Sequence, residues 1–175
     1  MKNFVFLLLM VVLLAGAPAF AGDRVPFQAS LAATSLTVTP PFAPDNPCPG
    51  PSLFFQITAV GQMSHLGLIT DVQSHCLSVI PDANGNLPFV NGHTTLTAAN
   101  GDKIFGVYAG YVEVTPTGNI IHGFLTNTGG TGRFTGATGV GTALGVEIRD
   151  ASGNTVGVAI TLQGTIDSVG AAKKN

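Results

Sequence analysis

The sequence predicts an all-β chain closed into an antiparallel up-and-down barrel of about eight strands, with a two-sheet β-sandwich as the alternative. Three observations lead there. Only 9% of the 175 residues are charged while 45% are hydrophobic, against about a quarter charged in an ordinary soluble domain. Runs of Val, Ile, Thr, Phe and Tyr recur between Gly and Asn, and nothing beyond the first 21 residues carries helical spacing over three turns. Beyond Pro88 the chain has a single proline, Pro116, so its second half is free to pair on both sides of every strand. Closing the meander removes the two exposed edges that an open sheet would keep.

In chain order, residues 1–21 read as a signal peptide. Lys2 is a minimal positive segment, 4–14 is an unbroken apolar run, and Ala19-Phe20-Ala21 supplies small residues at a cleavage site before Gly22. The apolar core is shorter than the roughly 20 residues a spanning helix needs, so no membrane span is expected after cleavage. The implied location is secreted or periplasmic. Residues 22–52 are expected to be an N-terminal extension with a first strand and a proline-rich segment, 53–170 the barrel, and 171–175 a tail.

Strands are expected near 28–39, 53–62, 65–71, 74–80, 93–99, 103–114, 120–126, 140–149 and 156–165. Asn100-Gly101 between two such runs predicts a type I′ hairpin, whose central residues both need positive φ. Asn84-Gly85, Thr117-Gly118 and Ser152-Gly153 mark further turns. From Lys103 to Val114 both faces are largely apolar, where a strand wet on one side should alternate. A second copy of the chain is the simplest cover for such an outer wall, so a homo-oligomer is expected.

Cys48 and Cys76 are the two cysteines. An even count in an exported chain favours a disulfide over two free buried thiols. Six of the twelve residues from Pro40 to Pro51 are proline, and a segment that cannot join a ladder gains most from a covalent tie to the sheet.

Several function classes fail on residues. Lys and Arg total 7 against 9 Asp and Glu, without the basic face that binds phosphate backbones, so no nucleic-acid partner is expected. The glycines around 130–136 have the wrong spacing, and no helix signal, for a dinucleotide site, and no phosphate-loop lysine is present. No cofactor is expected. His65, His75, His93 and His122 lack the short spacing of metal-ligand pairs and read as surface or rim residues, so no metal is expected. Ser74 and His75 are neighbours in a strand and point to opposite faces, which excludes a nucleophile–base pair.

Gly129-Gly130-Thr131-Gly132-Arg133-Phe134, followed by Ala137-Thr138-Gly139, is similar to the glycine motif of the allene oxide cyclase/dirigent-like barrel superfamily and its small exported bacterial members. His65-Leu66-Gly67, 96–102 and Gly164-Thr165-Ile166 add to the likeness, which covers roughly 55–167. The resemblance implies an eight-stranded barrel, often trimeric, with a central cavity for small apolar molecules. Gly129, Gly130, Gly132, Phe134 and Gly139 would then be structural. It allows a cofactor-free cyclase or isomerase without assigning its residues. For such chemistry an inward carboxylate with a raised pKa is needed; Glu113 and Glu147 are the candidates, with Tyr108 and Arg133 as electrostatic partners. Asp71, Lys103, Arg149 and Asp167 are the other charged groups in or beside strands. Solvated outward charges are the competing reading for all of them.

Three functions remain: an exported barrel binding a small hydrophobic molecule, an interaction module, and a cyclase or isomerase. The barrel interior discriminates, since a dry pocket favours binding, a filled core favours interaction, and convergent polar groups favour catalysis.

Overall fold

A computed structural model describes residues 24–153 and 155–167. The expected signal segment, its cleavage before Gly22 and the tail lie outside the described residues. Eight strands, β1 (Arg24–Thr39), β2 (Ser52–Met63), β3 (Gly67–Ser78), β4 (Leu87–Ala98), β5 (Lys103–Thr115), β6 (Gly118–Gly130), β7 (Gly139–Arg149) and β8 (Thr155–Asp167), follow one another around a closed barrel. Every neighbouring pair is antiparallel, including β1 with β8. The barrel, not the sandwich, is the architecture.

Three sequence expectations change in detail. The nine segments become eight strands, because 65–71 and 74–80 are one strand. Val72 and Gln73 continue its ladder opposite Thr58 and Ile57, while His65, at φ 68°, belongs to the preceding turn. The barrel begins at Arg24 rather than at residue 53, since β1 is the stave that closes it. Pro26 is tolerated there because residues 24–28 pair with β8 alone. The turn after β4 is not type I′. Gly101 has φ 88° but Asn100 is not in the positive-φ region. The Gly101 N–H donates to the Ala98 carbonyl, the Ala98 N–H to that of Asp102, and the Asn100 carboxamide oxygen accepts the Asp102 N–H. A type I turn followed by a left-handed glycine closes the hairpin with one positive-φ residue instead of two.

The core forms two clusters. One gathers Phe27, Met63, Leu66, Ile104, Phe134 and Ile166 among others, at the end of the barrel where β2–β3, β4–β5 and β6–β7 turn. Phe134 is 1% exposed and enters as a plug from a short 3-10 turn, Gly132–Phe134. Burying such a ring is worth about 2–3 kcal/mol. The glycine motif makes this turn: Gly132 holds φ 57°, and a Cβ there would collide with the Asp102 carboxylate. The second cluster, Leu77, Phe89 and Val112 with Leu53, Phe55 and Leu87 against it, lies towards the other end.

Cys48 and Cys76 form the expected disulfide, with their Cα atoms 5.5 Å apart. The proline-rich segment stays outside the sheet and is organised by Asn46, whose amide donates to the carbonyls of Pro40 (2.9 Å) and Ser52 (2.8 Å). On the outer wall of β5, β6 and β7, Val107, Phe124, Val140, Leu144 and Val146 are exposed.

Candidate functional site

The register of β3 against β2 decides which residues enter the barrel. Ala59 and Ile57 are buried core residues facing inward, and their partners are Asp71 and Gln73. Cross-strand partners share a face and strand residues alternate, so Asp71, Gln73 and His75 form a ladder on the inner wall, about 7 Å per step. Thr94 of β4, the partner of Gln73, and Tyr108 of β5 face the same interior. The bulge at Asn91, with φ 54°, brings Gly92 opposite Tyr108. A Cβ on Gly92 would lie 2.6 Å from the Tyr108 ring. The glycine is therefore what lets the phenol lie flat against β4.

These groups line a cavity of about 80 Å³ whose other walls are apolar, among them Leu96, Ile121, Leu125 and Leu162. No Lys or Arg lines it. Asp71 is fully buried, the one buried acid among the described residues. Thr94 donates its hydroxyl to one carboxylate oxygen at 2.6 Å, and the Gln73 amide donates to the other. Burial nevertheless raises the Asp71 pKa above its usual value, because two neutral donors do not replace lost hydration; the bonds to Thr94 and Gln73 act the opposite way. Nδ1 of His75 lies 2.8 Å from the Tyr108 hydroxyl. The imidazole is stacked on Phe55 (centroids 5.2 Å, 9° between planes) and tilted against Phe89 at 5.1 Å. Burial lowers its pKa to about 4, so it is neutral at pH 7. Burial, then the charge of Asp71, pushes the Tyr108 phenol well above its ordinary value.

Of the four residues proposed from sequence, only Tyr108 reaches this site. Glu113 is on the outer wall, 3.0 Å from Nε2 of His122, which stacks on Tyr111. Glu147 sits at the end of the barrel, accepting from Asn119 (3.0 Å) and Arg149 (2.9 Å). Arg133 pairs with Asp102 at 3.5 Å, its guanidinium over the Phe134 ring. The inward carboxylate is Asp71, and His75 is not a surface histidine. Ser74 points the other way, as alternation required. Asn127, also inward on β6, is buried with neither side-chain polar atom bonded; such an amide costs about 1–3 kcal/mol.

Fold and site define a closed antiparallel barrel carrying a buried, uncompensated acid and a neutral His–Tyr pair in an otherwise apolar pocket. No known family model matches the chain, and no curated protein matches its sequence.

Proposed function

We propose that the barrel binds a small, predominantly apolar molecule in its interior, as an exported binding protein. The observation that carries this reading is the cavity of about 80 Å³ between the two core clusters, apolar on most of its wall. A cavity of roughly 150 Å³ admits benzene and stays dry, so this one suits a ligand of a few heavy atoms, or the end of a longer one. Xenon is the direct probe. A saturable ¹²⁹Xe shift is expected with the wild type and not with Ala143→Leu, which fills the pocket from β7. An unsaturable shift in the wild type would remove the reading.

A second reading is favoured by the convergence of Asp71, His75 and Tyr108 on that cavity. Asp71, whose pKa burial raises, and a neutral imidazole two steps along the same ladder are groups of the kind that acid–base chemistry in a cofactor-free cyclase or isomerase uses. This agrees with the resemblance of the glycine motif to the allene oxide cyclase/dirigent-like barrels. Turnover of an epoxide or polyene, reduced about 10²–10⁴-fold by Asp71→Asn with the fold intact, would establish it; no turnover by the wild type would exclude it for those substrates. The apolar strip on β5–β7, where Glu113 is already engaged by His122, supports the expected self-association, a trimer by the same resemblance.

A further inference from the structure

The polar groups of the cavity also restrict what its ligand carries, an inference that rests on the binding reading above. A buried phenol donates its proton when an acceptor is within reach. The one hydrogen-bond partner of the Tyr108 hydroxyl is Nδ1 of His75, at 2.8 Å. Tyr108 is therefore the donor and Nδ1 the acceptor. In a neutral imidazole the proton then resides on Nε2. That N–H has no partner among the described residues. It is also not walled off, since the buried and unpaired side-chain atoms among the described residues are those of Asn127 alone. His75 lines the cavity, so its wall offers a free donor at Nε2, beside the Gln73 amide, whose one bond among the described residues goes to Asp71.

Charge narrows the choice further. An anionic acceptor would enter beside Asp71 with no Lys or Arg on the lining to offset it, and an unpaired charge in an apolar site is costly. A cationic amine would shed its hydration for at most the neutral carbonyl oxygen of Gln73, which does not offset a charge in an apolar site. Asp71 offers it little, because both carboxylate oxygens already accept, from Thr94 and Gln73, and the residue is 0% exposed. We propose that the cavity takes an uncharged carbonyl compound, its oxygen accepting the Nε2–H of His75 and its hydrocarbon body lying against Leu96, Leu125 and Leu162, and that it rejects carboxylates of similar size.

Three probes separate these effects: acetone, 2-methylpropene, which has the same shape without the oxygen, and acetate. Titrated by NMR at pH 7, the ketone is expected to bind wild type about tenfold more tightly than the alkene, the value of one net hydrogen bond. The carboxylate is expected not to bind. His75→Phe keeps the ring against Phe55 but has no N–H, so the ketone should fall to the affinity of the alkene while the alkene is unchanged. The carbonyl stretch of bound acetone should move to lower frequency in wild type, a reading that stands whether or not the variant folds. Equal binding of ketone and alkene, an unshifted stretch, or a carboxylate bound as tightly as the ketone would each overturn the inference while leaving an apolar cavity in place. Binding of none of the three would remove the cavity-binding reading together with it.

Discussion

The stability of wild type relative to His75→Phe in urea denaturation is expected to fall by about 3 kcal/mol as the pH is lowered from 6.5 to about 4. The sign follows from the direction of the shift. Burial among Phe55, Phe89 and Tyr108 lowers the His75 pKa from 6.5 to about 4, so the unfolded chain binds its proton first. The stabilising contribution is complete above pH 6.5 and is lost as the pH falls through the folded value. Asp71 acts in the opposite sense. Its folded pKa is raised from 3.8, so its contribution is complete below pH 3.8 and is lost as the pH rises. Asp71→Asn should therefore be more stable than wild type at pH 7, provided the Gln73 amide turns to accept from the new carboxamide. The advantage should vanish below pH 3.8. The other groups facing the ladder cannot supply either limb, since Tyr108 stays protonated throughout and no other titratable side chain lines the cavity. A difference between wild type and His75→Phe that stays constant from pH 7 to 4 would contradict the buried neutral imidazole.

Replacing both cysteines, Cys48→Ser with Cys76→Ser, is expected to lower stability by about 3–4 kcal/mol, the chain-entropy value for a bridge spanning 28 residues. That is a large share of the roughly 5–15 kcal/mol by which a domain of this size is stable. Much of the loss should come from the unfolded chain, in which residues 48–76 are no longer held in a closed loop. Cys76 is on the outward face of β3, opposite Phe54 and Val90, so the serine does not enter the cavity. Xenon binding by the double variant should consequently survive at temperatures where it is folded. A loss under 1 kcal/mol in paired melts would mean that Asn46 and its carbonyl partners hold the segment without the bridge.

The site shows where reading along the chain fails. Residues 68–77 of β3 offer two faces, Leu68, Thr70, Val72, Ser74 and Cys76 on one, and Ile69, Asp71, Gln73, His75 and Leu77 on the other. Hydropathy alone turns the first inward, because it carries no formal charge. In the barrel the second is inside, and Leu68 and Val72 are left exposed. A one-residue change of register would have exchanged the faces, and the register is set by pairing with β2 and β4, which lies outside the strand itself. The choice of Glu113 and Glu147 over Asp71 fails for this reason. Either alternation was permitted by an almost uncharged chain, and only the closed sheet selects one.

What the sequence by itself determined was architecture. Scarce charge, β-branched and aromatic runs, and glycine turns at regular intervals leave few ways to bury the chain other than a closed meander. Two cysteines, one inside a proline-rich segment and one in a strand, leave one bridge. These are local or compositional properties, and each is legible without knowing a neighbour. Which groups meet inside is not local. The Asp71–Thr94 bond links residues 23 apart and the His75–Tyr108 contact residues 33 apart. The second also needs the bulge at Asn91, with Gly92 leaving room for the Tyr108 ring. The pKa shifts depend on burial that exists only once eight strands have closed. Tertiary structure alone decided that Asp71 and His75, which share one face of β3, are turned into the barrel, because alternation divides a strand between two faces without saying which of them is inside.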